Sequence, residues 1–304
     1  MKTAVELKNV TKIIKGKKII DNLSFTINEG EVFGFLGPNG AGKTTTIRMI
    51  VGLMGITSGE IMICGNSITK NHDEALRYVG GIVENPEMYK FLTGYQNLMQ
   101  YARMVKGITR EKIDEVVNLV GLTERIHDKV KTYSLGMRQR LGLAQSLLHD
   151  PKVMILDEPT NGLDPAGIRE IRDHLRILSK ERGMAVIVSS HLLSEMEMMC
   201  DRIAIIQKGK LIDVQQVHDF VSGDIHKYFI ELDVEKMESV QNLANFPFVP
   251  YDNGIEVEVE KEKVPDVIKV LVENGIRIYE VKAVSKSLED RFLEVTGKEE
   301  VAHA

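Results

Sequence analysis

Short apolar runs bounded by Gly, Pro and polar clusters recur along the chain, at Val32–Leu36, Val153–Leu156 and Ala185–Val188. Runs of this length without alternation predict strands buried on both faces, as in a largely parallel sheet. Between them the period changes. Ile113, Val116, Val117 and Val120 fall at helical spacing before Gly121, and Ile168, Ile171, Leu175 and Leu178 do so after Pro165,. Strands alternating with helices predict an α/β core. From about Pro86 to Lys131 strand signals stop and helix signals take over, which predicts a helical subdomain inserted into that core. Past residue 222 an alternation of period two begins, first at Tyr228, Ile230 and Leu232, then at Ile255, Val257 and Val259 against Glu256, Glu258 and Glu260,. A helical pattern follows each, the second ending at Asn274-Gly275 before the strand-like run Ile276–Val281,. Two strand–helix–strand units in this stretch predict a split βαβ or ferredoxin-like sandwich. The expected layout is an α/β domain over 1–221, with its helical subdomain at about 86–136, and a small α+β domain over 222–304.

Bulk properties narrow the setting. At 304 residues the chain is long for one average domain, which agrees with two. Hydrophobic residues make up 43% and charged residues 27%, with no Trp, as in a globular protein with an ordinary core. The net charge of −5 argues against nucleic acid as a partner, because duplex binding leaves a basic footprint. Cys64 and Cys200 stand in no metal or disulfide spacing, so buried thiols in a reducing compartment are expected. No stretch approaches the roughly 18–20 apolar residues of a membrane span, and the N-terminus lacks an apolar signal core. The chain is therefore expected neither to cross a membrane nor to be exported by itself.

Gly37-Pro38-Asn39-Gly40-Ala41-Gly42-Lys43-Thr44 fits the phosphate-loop pattern and stands between the apolar run Val32–Leu36 and a helical pattern beginning at Thr45,. Glycines let the backbone turn its N–H groups around the β- and γ-phosphates at the positive end of the following helix. Lys43 would add a full charge at the β/γ oxygens and the Thr44 hydroxyl a magnesium ligand; ATP contacts are expected from Gly37 to Thr45. A second element, Val153-Met154-Ile155-Leu156-Asp157-Glu158, delivers two carboxylates at a strand's C-terminal end, where open α/β sheets place ligands. Asp157 is the expected magnesium-side carboxylate. Glu158, on the opposite side of the strand, could polarise an attacking water.

Between these elements lies Tyr133-Ser134-Leu135-Gly136-Met137-Arg138-Gln139-Arg140-Leu141, and here the chain resembles the ABC-transporter ATPases, whose signature reads LSGGQ followed by a basic residue. The resemblance implies MgATP hydrolysis between two ATP-binding subunits docked head to tail, a homodimer being expected, with Ser134 and Gly136 contacting the γ-phosphate held by the opposite subunit. Leu135 and Met137 depart from the commonest form, and the signature's Gln is missing. Asn161-Gly162-Leu163-Asp164 resembles the D-loop, which brings Asp164 to the nucleotide, and Ser189-Ser190-His191 resembles the strand-end switch, which puts His191 near the γ-phosphate. The resemblance spans roughly residues 4 to 220.

Two departures bear on the site. The family usually carries Gln at the end of the strand entering the helical subdomain, as magnesium ligand and sensor; Val79-Gly80-Gly81-Ile82-Val83-Glu84 puts Glu84 there, and a carboxylate still offers oxygen to a hard cation. Where an aromatic ring normally stacks on adenine, Ile14 or Lys15 falls instead, and Ile14 would supply apolar contact,. Glu84-Asn85-Pro86 with Leu92-Thr93-Gly94 and Asn97-Leu98 resembles the bacterial exporter subgroup that includes bacitracin-resistance transporters, as does the closing run Ser287-Leu288-Glu289-Asp290-Arg291-Phe292-Leu293-Glu294. For the C-terminal domain, regulation, a dimer or partner contact, and stability alone stay open. The implied partners are polytopic permease subunits on separate chains, the implied place is peripheral on the cytoplasmic face of the membrane, and the implied cargo is a peptide antibiotic or similar amphiphile. The alternative is a soluble ABC-type ATPase outside transport. Ribosomal types carry two nucleotide domains in one chain and chromosome types split theirs with coiled coils, whereas this chain has one contiguous domain.

Overall fold

The structure, a computed structural model, describes residues 2–84, 86–190, 192–218, 227–233, 246–251, 253–284, 288 and 292. The chain divides into two compact units, Met1–Val217 and His218–Glu294, a few residues ahead of the boundary read at 221/222.

In the first unit the strands begin with β1 (Thr3–Ile14), β2 (Lys17–Asn28), β3 (Val32–Leu36), β4 (Ser58–Ile63) and β5 (Asn66–Ser67). They continue with β6 (Val79–Ile82), β7 (Val153–Asp157), β8 (Ala185–Ser189), β9 (Arg202–Gln207) and β10 (Lys210–Gln216). Six of them form a sheet in the order β10-β9-β3-β8-β7-β6, parallel from β9 to β6 with β10 antiparallel at its edge. The three apolar runs are β3, β7 and β8, buried along their whole length, because helices and a second sheet cover both faces. That second sheet, antiparallel in the order β2-β1-β4-β5, is an addition to the expected core. Its pattern is hard to read because register shifts between Leu7 and Val10 and between Val10 and Lys12 break the period of two. Phe25 of β2 meets Phe33 and Phe35 of β3 with ring centroids 5.5–5.6 Å apart, so the two sheets share one core.

Helices α1 (Lys43–Ile50), α2 (His72–Leu76), α3 (Gly94–Ala102), α4 (Arg110–Leu119), α5 (Leu135–Leu147), α6 (Pro165–Lys180) and α7 (Leu193–Met199) lie in the same unit, with a 3₁₀ turn at Val130–Thr132 ahead of α5. Between β6 and α5 the chain is helical. Thr93 and Gln96 form a capping box at the start of α3, and the fully buried Asn97 donates to the carbonyls of Tyr89 (3.1 Å) and Thr93 (2.9 Å) while accepting from the Tyr89 N–H (2.8 Å). One amide thus fixes the loop after Pro86 to α3. Gly80 lets α5 lie close on β6: a Cβ there would come within 2.3 Å of the Ser146 carbonyl oxygen.

The second unit contains β11 (Lys227–Leu232), β12 (Phe248–Tyr251), β13 (Gly254–Glu258), α8 (Val264–Glu273) and β14 (Ile278–Ala283). The order β12-β13-β11-β14, with every pair antiparallel, is that of the ferredoxin-like sandwich. Tyr228, Ile230, Leu232, Ile255 and Val257 line the face that packs with Val267 and Leu271 of α8. β12 escapes a pattern reading because Pro250 interrupts it; Pro is tolerated there because β12 is an edge strand. The first of the two expected helices lies outside the described residues. Of the closing run, Leu288 and Phe292 are described and buried. Cys200 is buried as expected, but Cys64 is only partly so, since it sits in the turn between β4 and β5.

Candidate nucleotide site

β3 runs into the loop Gly37–Gly42, and α1 begins at Lys43. Gly42 has φ +111°, a conformation that favours glycine, and a Cβ there would stand 2.5 Å from Ile20 Cδ1, so that side chain would have to shift,. Gly42 is also the N-cap of α1 and provides no side-chain acceptor. By contrast α3, α4, α5 and α6 each start on a Thr, Ser or Asp whose side chain accepts from the first turn. The N–H groups of α1's first turn therefore keep their capacity for an anionic ligand, at the positive end of the helix dipole. The loop is pinned from behind: Ala41 N–H donates to Pro38 (3.1 Å), Gly209 N–H to Ala41 (2.9 Å) and Asp21 N–H to Gly209 (2.8 Å). Asn39 and Gly40 form its exposed tip, and Thr44 and Thr45 are half-buried.

Lys43 is 7% exposed. Its ammonium donates to the carbonyls of Gly37 and Pro38, which keeps a buried charge satisfied beside the phosphate cradle. Burial pushes its pKa down, opposed by the negative charges of Glu158 and Asp157. The phosphate-loop cation and the two carboxylates thus belong to one electrostatic site.

Those carboxylates come from β7, which lies beside β8 in parallel register with Asp157 opposite Ser189. Asp157 is 7% exposed, Ser189 fully buried, and the Ser189 hydroxyl donates to Asp157 Oδ1. Glu158 does not continue the strand. It turns at φ +52°, and its N–H donates to both the carbonyl oxygen (3.2 Å) and the hydroxyl (3.1 Å) of Ser189. Its direction comes from this turn rather than from the pleat. Ser189, which the sequence named only as part of the strand-end switch, joins the carboxylates of β7; the signal for this is the common end point of two apolar runs, each closing on a polar residue.

Glu84 lies two residues past β6 at φ +70°, exposed, and accepts from Arg48 of α1. Ser134 is the N-cap of α5 and accepts from Met137 N–H at 3.2 Å; Asp164 caps α6, accepting from Gly167 N–H at 3.1 Å. Gly136 and Gly162 approach Leu163 and Leu135 respectively, so the segment after Tyr133 and the turn before Asp164 form a second cluster. Ile14 stands at the tip of the β1–β2 hairpin, 37% exposed. His191 lies outside the described residues.

A family profile described as "ABC transporter" matches residues 20–161, which include the phosphate loop, Ser134 and both carboxylates. Over 306 residues the chain is 69% identical to the uncharacterized ABC transporter ATP-binding protein YhcH of Bacillus subtilis (strain 168), with all of both chains covered. The chain belongs to the ABC transporter ATP-binding proteins. It is also 40% identical to the bacitracin transport ATP-binding protein BcrA of Bacillus licheniformis, over 98% of each chain. Among solved structures it is similar to the ATP-binding cassette MJ0796, a dimer in a post-hydrolysis state bound to ADP and Pi, with TM-score 0.62 and 26% identity over 70% of this chain and 98% of that one. The ABC protein described here is accordingly an ATP-binding subunit of a transporter and an ATPase. Among its described residues no helix is long and apolar enough to cross a membrane.

Proposed function

We propose that two copies of this ATPase close head to tail around two MgATP molecules and that hydrolysis there drives export of a peptide antibiotic or similar amphiphile. The observation that carries the chemistry is the assembly of Lys43, Asp157 and Glu158 at the C-terminal ends of β3 and β7, which flank β8. In this reading the Gly37–Thr45 backbone and Lys43 hold the phosphates, and Ile14 gives apolar contact to the base. Thr44, Asp157 and Glu84 form an all-oxygen donor set, which suits Mg²⁺ rather than a softer ion, and the buried Asp157 is already oriented by Ser189. Bound Mg²⁺ would offset charge on the β- and γ-phosphates. Glu158 accepts the proton of the attacking water, and His191, by its match to the strand-end switch, would act at the γ-phosphate. Ser134, Gly136 and Asp164 complete the opposite copy's site.

Permease subunits on separate chains would dock on the helical region after Pro86, which holds the ATPase at the cytoplasmic face of the membrane; no nucleic acid is involved. The cargo class is supported by the likeness to the bacitracin transport protein. The test is co-expression with its permease subunits in a bacitracin-sensitive host. A rise in the tolerated bacitracin concentration that Glu158→Gln abolishes is expected; equal tolerance in both strains counts against the cargo.

A further inference from the structure

The turn that carries Glu158 leads to a buried acid with no part in the chemistry above. Thr160 is 2% exposed, and its hydroxyl donates to Oε2 of Glu195, itself 4% exposed in the first turn of α7. Carboxylates are seldom buried, and one held inside depends on the donor that faces it.

This contact joins two chain segments. On one side, overlapping turns run from Glu158 to the cap of α6: Asn161 N–H donates to the Glu158 carbonyl at 3.2 Å, and Leu163 N–H to the Thr160 carbonyl at 3.1 Å. Thr160 sits in both turns. On the other side is the start of α7, joined to β8 through residues 190–192, which include His191. At their roots the two segments are already tied, since Ser189 holds the Asp157 carboxylate and the Glu158 N–H. Glu195 and Thr160 tie them again farther out. The left-handed backbone of Glu158 lies between the two ties, and such a conformation persists only where its surroundings determine it.

We propose that Glu195 is a positioning residue for ATP hydrolysis: through Thr160 it holds the Glu158-to-Asp164 turn in register with the segment after β8. It keeps the Glu158 carboxylate directed at the attacking water and Asp164 at the subunit interface, without touching nucleotide. The proposal rests on the reading of Glu158 as the water-polarising group. It predicts a defect in turnover rather than in nucleotide binding, which belongs to Lys43 and its loop.

The test combines steady-state kinetics with thermal unfolding in Glu195→Leu, Thr160→Val and their double variant. Each of the three should lose about tenfold or more in kcat while KM for ATP stays within about twofold. Thr160→Ser and Glu195→Gln keep the donor and an acceptor oxygen respectively, and both should retain kcat within about threefold. Thr160→Val alone leaves the buried carboxylate without this donor and should lower Tm; the double variant removes both groups and should recover Tm but not kcat. Recovery of kcat together with Tm would show a merely structural contact and overturn the proposal. Parent-like kcat in Glu195→Leu would overturn it too. Glu158→Gln, assayed alongside, separates the two readings: parent-like turnover there removes the water-polarising role and the proposal with it, whereas loss there beside normal turnover in Glu195→Leu removes the proposal alone.

Discussion

Glu84 and Glu158 both sit at positive φ, +70° and +52°, a region that costs a non-glycine residue on the order of 1–3 kcal/mol. Their surroundings differ. Glu158 is half-buried and held by Ser189, whereas Glu84 is exposed and paired with Arg48. An exposed ion pair contributes about 0–1 kcal/mol, so Arg48 can release Glu84 readily when a stronger cation is present. If Glu84 is a magnesium-side ligand, Glu84→Ala should lower ATPase activity and raise the magnesium concentration needed for half-maximal rate. Glu84→Gln, which keeps one neutral carbonyl oxygen of suitable reach, should retain substantial activity. Neither change should shift stability by more than about 0.5 kcal/mol, as expected for a surface position. Superimposable magnesium curves for parent, Ala and Gln forms would remove Glu84 from the site.

At the level of elements, the helix that begins with Ser134 and the one that begins after Asp164 are linked through charge. Arg140 of α5 pairs with Glu170 of α6 at 3.4 Å, and His174 lies one turn along α6 from Glu170. Burial, then the positive charge of Arg140, push the His174 pKa below its ordinary value, with Glu170 and Asp173 opposing. The folded state therefore favours the neutral ring. As pH falls, the unfolded chain takes up this proton first, near the ordinary value of about 6.5, and stability declines from there until the lower folded-state pKa is passed. His174→Leu should flatten this part of the acid limb. Urea unfolding midpoints at several pH values between about 7 and 5 would check it, and parallel slopes for parent and variant would show that His174 is not the group responsible.

For the whole molecule the central expectation is a nucleotide-dependent dimer. Ser134 and Asp164 each spend their side chain on capping their own helix, which fixes the starts of α5 and α6 as rigid surfaces for an opposite copy. Glu158→Gln preserves shape and phosphate contacts but removes the carboxylate that accepts the water's proton. Turnover should fall by about 100-fold or more, and ATP should accumulate in the closed pair. Gel filtration should then show a dimer with ATP and a monomer without it. A monomer in both conditions would leave the head-to-tail reading without support.

The sequence by itself determined the parts whose physics is local or covered on both sides. The phosphate loop is contiguous and its glycines answer to backbone conformation at single positions; β3, β7 and β8 read as unbroken apolar runs because no face of them meets water. β11 and β13 were legible for the opposite reason, one wet face and one dry one. The N-terminal antiparallel sheet was not, because bulges shift its phase, and β12 was not, because an edge strand can contain Pro250. Only the tertiary structure decided which polar groups meet. Ser189 reaches Asp157 across 32 positions, Glu195 reaches Thr160 across 35, and Arg48 reaches Glu84 across 36. Each pairing follows from which strands lie side by side and where they end, and that order is set by packing the whole sheet, not by any propensity carried in the segments themselves.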